Sequence, residues 1–359
     1  MATLFCSDCN SLLDVEYVEP TYGHTEAGSV PLPTHDHVPR VSLGEGNTPI
    51  VKLPRMARIL GIQHLYAKLE FLNPTGSFKD RGAAVMLSVA KENGIKTVLE
   101  DSSGNAGASV AAYAARGGIQ AHIFVLSSAP VPKIRQIQAY GATVHLVEGT
   151  RESVSEAAVL FHHERQMIYA SHVMSPYFAE GTKTFAYELV AQLVNSLPDH
   201  VVFPIGNGSL LIGTWKGLVE QRDTGRLVRI PRLHCVQAQQ IAPIVAAFAG
   251  GPCVSQDTQS TVARGIAVAS PARLDQILHV LRESNGDAAA VDDASILTMQ
   301  QELSEREGVF AEPTSAAVFA GINILVERGV IGAGDTVLVP VTGSGLKSGE
   351  PITTCETES

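Results

Sequence analysis

A chain of 359 residues, 45% hydrophobic and 17% charged, can bury a large core and by length divides into about two domains. Its formal net charge of −10 argues against nucleic acid or an anionic membrane as partner, so an anionic ligand must be held by local features. No segment has the ~18 uninterrupted apolar residues of a membrane span, residues 1–10 lack the regions of a signal peptide, and five cysteines without framework spacing fit a reducing compartment, so the cytoplasm is expected.

The first forty residues, rich in Pro, Gly, Thr and His, predict an irregular arm. Beyond them, short apolar and β-branched runs predict buried parallel strands at 97–99, 122–126, 143–147, 201–204, 233–236 and 336–339. Helices are expected at 82–91, 107–116, 132–140, 152–164, 184–193, 211–222 and 313–328, several of them closing on glycine at Gly117, Gly141 and Gly329. This alternation predicts an α/β fold with open, doubly wound, mostly parallel sheets and ligands at the carboxyl ends of strands. No internal repeat is visible, and no shift in composition marks a linker.

The stretch from Asn73 to Gly82 places one lysine, Lys79, at the mouth of a helix behind the breakers Pro74 and Gly76, with Ser77 as the expected N-cap. The positive end of the helix dipole and nearby buried backbone both favour a neutral amine there. A neutral amine can form a Schiff base with an aldehyde. A surface lysine that follows a turn would show the same local pattern.

Two later turns suit anions. Ser102-Ser103-Gly104-Asn105-Ala106 follows a predicted strand and opens a helix, presenting two hydroxyls and an amide at a helix N-terminus, which suits a carboxylate. Gly206-Asn207-Gly208-Ser209-Leu210 repeats that arrangement after the strand at 201–204, and its glycines permit close backbone approach to a phosphate. Each signal is weak alone, since strand-to-helix turns often carry Gly, Ser and Asn without a ligand.

Taken in order, these motifs, together with Gly44-Glu45-Gly46-Asn47-Thr48-Pro49, Glu180-Gly181-Thr182-Lys183-Thr184 and Thr342-Gly343-Ser344-Gly345-Leu346-Lys347, cover residues 40 to 350. The set resembles the threonine synthases and, more broadly, the pyridoxal-phosphate (PLP) enzymes of β-elimination type with the tryptophan-synthase-like fold, fold type II. The resemblance implies a Schiff base on Lys79, which is also the catalytic proton shuttle. It implies a phosphate loop of Gly206, Asn207, Gly208, Ser209 and Leu210, with Thr342 at the ring nitrogen and Asn105 at the phenolic oxygen. Ser102, Ser103, Gly104, Asn105 and Ala106 would grip the substrate carboxylate. Lys183 would either hold an anionic substrate or pair with a surface carboxylate.

The same resemblance implies a smaller domain, 73–182, inserted into a larger one formed by 1–72 and 183–359, with PLP in the cleft between them. It also implies a small amino-acid substrate and a homodimer. The implied activity is conversion of O-phosphohomoserine and water to threonine and phosphate. Elimination or replacement on another activated amino acid, as by a threonine or serine dehydratase, is the alternative, and a silent PLP-binding protein is disfavoured by the intact lysine and loops.

Two segments depart from the synthase pattern. Ser344 stands where that family has histidine and leads into Ser348-Gly349-Glu350-Pro351, while Thr261 to Val268 resembles dehydratases; both are expected where substrate is discriminated. Cys6 and Cys9 supply half of a zinc ribbon's ligands with no second pair nearby, so a metal-free remnant is expected and no metal site is assigned. Asp80 and Arg81 are expected to be structural, and His162 and His163 to lie on a solvated helix face.

Overall fold

The computed structural model of the chain describes residues 4–17, 30–35, 38, 40–193, 197–251 and 260–347. Strand β1 (Ile50–Lys52), helix α1 (Pro54–Ile59), strand β2 (His64–Lys68) and helix α2 (Lys79–Glu92) come first. Then follow β3 (Thr97–Glu100), α3 (Asn105–Gly117), β4 (Gln120–Leu126), α4 (Val131–Ala139), β5 (Thr143–Val147), α5 (Arg151–Arg165) and β6 (Ile168–Tyr169). Helices α6 (Pro176–Thr182) and α7 (Thr184–Gln192) lead to β7 (His200–Pro204), α8 (Ser209–Asp223), β8 (Arg232–Ala238) and α9 (Pro243–Phe248). The last elements are α10 (Leu274–Glu283), β9 (Ala288–Val291), α11 (Asp293–Glu307), α12 (Pro313–Glu327) and β10 (Thr336–Pro340).

Two sheets organise these elements. The smaller runs β5-β4-β3-β6, parallel throughout, and draws all its strands from between Thr97 and Tyr169. The larger runs β1-β2-β10-β7-β8-β9 and takes strands from both sides of that interval; only the β1–β2 pair is antiparallel. The chain is thus an α/β protein with two mostly parallel sheets. Buried parallel strands need apolar side chains on both faces, which is why His200-Val201-Val202-Phe203-Pro204 has an unbroken apolar centre. Helix α12 buries Ala316, Ala317, Val318, Phe319, Ile322 and Leu325 completely, as expected for a helix apolar all round. Among the described residues, no helix is long and apolar enough to cross a membrane.

The differences from expectation have identifiable causes in tertiary pairing. β1, β2, β6 and β9 escaped the sequence reading, as did α1, α6, α9, α10 and α11. Ala288-Ala289-Ala290-Val291 lacks strand propensity and becomes a strand because it pairs in register with Cys235 to Ala238. Helix α2 starts at Lys79 rather than at 82, and Ser77 is not its cap. Phe78 occupies the N-cap position without a side-chain bond, because Ser77 is drawn into a β-bridge with Gly343 and the Phe78 N–H donates to the Thr342 carbonyl at 3.1 Å. A tertiary contact has overridden a local cap.

The described part of the N-terminal arm is not loose. Phe5 and Leu12 form a β-bridge, Lys216 reaches Asp14 at 2.7 Å, and Tyr17 donates to Glu180 at 2.6 Å. Cys6 is half-buried and Cys9 exposed, both as free thiols; Cys253, Cys355 and the segment from Ser348 onward lie outside the described residues. His163 is exposed, as expected of a solvated face, whereas His162 is half-buried against the Met167 carbonyl.

Candidate active site

The carboxyl ends of β3 and β7 and the start of α2 meet around a cavity of about 340 Å³. Lys79, all five residues from Ser102 to Ala106, all five from Gly206 to Leu210, and Thr342 line it. The Lys79 Nζ stands 4.4 Å from the centroid of the Phe78 ring and 5.7 Å from that of Phe178. Burial pushes its pKa down to about 8, against the opposing pull of Glu100 and Glu312. A substantial fraction of the amine is therefore neutral near pH 8.

Its neighbours explain why this lysine is held so firmly. Asp80, next in the helix, accepts hydrogen bonds from the Thr75 N–H at 2.7 Å, the Thr75 hydroxyl at 2.5 Å and the Ser109 hydroxyl at 2.7 Å. Arg81 is wholly buried and grips two carboxylates, Glu70 through Nε at 2.7 Å and Nη2 at 2.8 Å, and Glu188 through Nη1 at 2.7 Å and Nη2 at 2.9 Å. Both residues fasten the first turn of α2, the structural role expected of them.

The two turns differ in how they are built. Gly104 is the N-cap of α3, and the helix packs so closely on its own loop that a Cβ at Gly107 would lie 1.9 Å from the Ser102 carbonyl. Asn105 donates from Nδ2 to Glu312 at 3.2 Å, while its Oδ1 is buried without a partner. At the second turn Gly208 caps α8 at φ +74°, and a Cβ there would meet Ile277 at 2.5 Å. Ser315 accepts the Gly343 N–H at 3.1 Å and shares a 2.9 Å bond with Thr342, so with Ser315 as donor Thr342 keeps its own proton for the cavity.

These features fit PLP. A glycine-capped helix N-terminus suits the phosphate, a low-pKa lysine suits the aldehyde, and the unpaired Asn105 oxygen and the Thr342 hydroxyl leave polar atoms for the ring. Gly208→Val is expected to weaken PLP retention roughly ten- to a hundredfold, since its side chain would collide with Ile277 at the turn. Gly250→Val is the matched control: its φ is +80°, yet nothing lies within 4 Å of the added Cβ. Dialysis followed by absorbance of the bound cofactor measures both; equal retention would make the Gly208 turn an ordinary one.

Two expected site residues stand elsewhere. Lys183 does not line the cavity; it is fully buried at the α6–α7 junction, bonded to Glu180 at 2.7 Å and Glu220 at 3.0 Å, under the Tyr17 ring. It belongs to a core ion-pair network that ties the arm to α6 and α8, which corrects the substrate-holding expectation. Ser344 is also outside the cavity lining, its N–H bonded to the Gly76 carbonyl at 3.2 Å. By contrast, Arg264 to Val268 do form part of the wall.

The sequence reading missed Glu312, His172, Arg151 and Lys133, all of which line the cavity. Glu312 is the N-cap position of α12, and its only local signal is the Pro313 that follows. His172 follows the two-residue strand β6, too short for a periodicity signal.

A profile of the pyridoxal-phosphate dependent enzymes matches residues 41–343 of the chain. The threonine synthase of Methanosarcina acetivorans is 36% identical over 97% of this chain and 88% of its own length. That of Methanocaldococcus jannaschii is 37% identical over 88% of this chain and 78% of its own. Among solved structures, O-ureido-L-serine synthase superposes with a TM-score of 0.71 at 24% identity, covering 86% of this chain and 92% of that one. Maize serine racemase does so with 0.73 at 24%, covering 85% and 90%. At such identity the structures establish a shared fold.

Proposed function

Because the chain belongs to the threonine synthase family of pyridoxal-phosphate dependent enzymes, we propose that it converts O-phosphohomoserine and water to threonine and phosphate. The observation that carries the proposal is the single cavity joining Lys79 to two glycine-bearing helix N-termini. One turn, Gly206 to Leu210, holds the cofactor phosphate; the other, Ser102 to Ala106, holds the substrate carboxylate. Asn105 and Thr342 fix the cofactor ring. When bound, PLP supplies the electron sink for charge that develops at the α carbon. A neutral hydroxyl at the ring nitrogen, unlike a carboxylate, does not enforce ring protonation and keeps that sink moderate.

Lys79 takes and returns the proton at the α carbon, a task for which an amine with a pKa near 8 is well matched. Arg151, Lys133 and Arg264, the other basic residues of the wall, offer the substrate phosphate its charge partners. The 1–72 and 183–359 portion is proposed to carry the cofactor and 73–182 the lysine and carboxylate loop. A homodimer and a cytoplasmic address are parts of the same reading.

Given O-phosphohomoserine, the holoenzyme is expected to release phosphate and form threonine. Given threonine alone, it should form 2-oxobutyrate roughly 10⁴-fold less efficiently, because donors meant for a phosphate would be left unpaired. Coupled assays of phosphate and of 2-oxobutyrate decide it. A dehydratase reading is favoured by one observation, the presence of the dehydratase-like Arg264 to Val268 in the wall. Efficient turnover of threonine or serine with no phosphate release would establish that reading instead.

A further inference from the structure

Glu100 ends β3, and His172 follows β6, the neighbouring parallel strand. This neighbouring pair puts the two residues side by side beneath the cavity. The His172 backbone N–H donates to one Glu100 oxygen at 3.0 Å, and Nδ1 bonds the other at 2.7 Å. Glu100 is wholly buried, and His172 is buried except where it lines the cavity. An ionised Glu100 can only accept, so where it is ionised Nδ1 carries the proton and Nε2 is left as an acceptor, with no hydrogen-bond partner among the described residues.

The surroundings keep the pair in that state. Asp101, beside Glu100, is ion-paired with Arg151 at 2.7 Å and Glu100 is hydrogen-bonded to His172, so each of the three groups already has a partner. The charged or titratable groups facing the pair are Lys79 on α2, Asp101 on the β3 loop, Arg151 on α5 and Tyr169 on β6. Burial pushes Glu100 up to about 7 and, with Lys79, pushes His172 well below its usual value. Above neutral pH the pair is a carboxylate and a neutral imidazole.

The proposed reaction moves protons at the α carbon and also from the water that adds at the β carbon. Lys79 serves the first. We infer that His172, oriented by Glu100, is a second acid–base residue of this cavity and takes the proton of the incoming water through Nε2. The inference rests on the synthase reading above. In the step, the water oxygen bonds to the β carbon of the α,β-unsaturated chain, the carbon–carbon π pair moves to the α carbon, and one water O–H bond breaks, its proton passing to Nε2. The ring passes that proton to the phosphate, which departed with the electron pair of its bond to the γ carbon and leaves as hydrogen phosphate. The placement is consistent with this division. The phosphate turn and Thr342 sit on the larger sheet's side, whereas His172, Arg151 and the carboxylate loop belong to the smaller sheet.

The test compares wild-type, His172→Asn and Glu100→Gln holoenzymes given O-phosphohomoserine in D2O, recording α-deuteration by NMR, phosphate, threonine and 2-oxobutyrate. Asparagine retains a donor toward Glu100 but removes Nε2. In His172→Asn, α-deuteration and phosphate release should persist, while threonine formed per phosphate falls roughly 10²-fold. Unsaturated product that fails to gain water should then appear as 2-oxobutyrate and ammonia. Glu100, a positioning residue, should shift the ratio in the same direction when changed to glutamine, with KM within about twofold of wild type. An unchanged threonine-to-phosphate ratio in a loaded His172→Asn enzyme would overturn the role. So would equal loss of α-deuteration and threonine, which would place His172 at the α carbon with Lys79. Should His172→Asn fail to fold, His172→Gln gives the same comparison. Wild-type enzyme that deuterates amino acids but releases no phosphate would remove the synthase reading and this role with it.

Discussion

Replacing Lys79 with alanine is expected to lower threonine formation by on the order of 10⁴-fold or more, with loss of the absorbance of covalently held cofactor. Borohydride reduction of the wild-type holoenzyme followed by peptide mapping should place the label on Lys79. Lys347 makes this a demanding test. It too is buried, and burial likewise pushes its pKa down to about 8, against the pull of Glu312 and Asp80. What separates the two is surroundings: Lys347 is bonded to the Thr75 carbonyl at 2.8 Å and does not line the cavity, whereas Lys79 stands in its wall. A depressed pKa alone therefore does not identify the reactive amine; access does. A label on Lys347 or Lys183, or full activity in Lys79→Ala, would discard the assignment.

Arg81→Ala is expected to destabilise the fold by about 3–5 kcal/mol, the largest effect on stability foreseen for a single polar side chain here. The substitution strands Glu70, wholly buried, and leaves Glu188 with Lys68 as its remaining cation at 3.0 Å. Urea denaturation at neutral pH measures the loss. Arg81→Lys should recover only part of it, because an ammonium cannot fork between two carboxylates. The pH dependence has a defined sign. Burial would raise Glu188, but hydrogen bonds and charge from Arg81 outweigh it and hold the carboxyl down to about 2 from 4.5. A depressed folded-state pKa contributes stability above the unfolded value and loses it as pH falls through the folded one. Wild-type stability should thus decline between about pH 4.5 and 2, and Arg81→Ala should lose part of that slope. A variant as stable as wild type would mean that the network contributes no net stability.

The glycine-bearing turns were legible because each rests on a strand, a breaker and a helix start that are contiguous in the chain. Residues 143–147 were read to the residue for the same reason. Lys183 misled because Gly181-Thr182-Lys183 marks the family without revealing what the side chain touches; only α8, which brings Glu220, makes it a core cation. Glu312 and His172 were illegible for the converse reason. Each is a single polar residue beside an unremarkable neighbour, and what brings it to the cavity wall is packing imposed by distant elements. Ser77 shows the limit most directly, as a good local cap is displaced by a bridge to Gly343.

The position of β10 has a consequence for synthesis on the ribosome. Among the described residues it is the last strand to be made, yet it lies between β2 and β7, near the middle of the larger sheet. Until Thr336 to Pro340 have emerged, a growing chain holds two half-sheets whose facing edges lack their common partner, and Lys79 lacks the Thr342 loop that anchors its helix. Such edges invite pairing with other nascent chains. Loading of the cofactor thus follows translation, and the bound cofactor then favours the completed sheet by mass action.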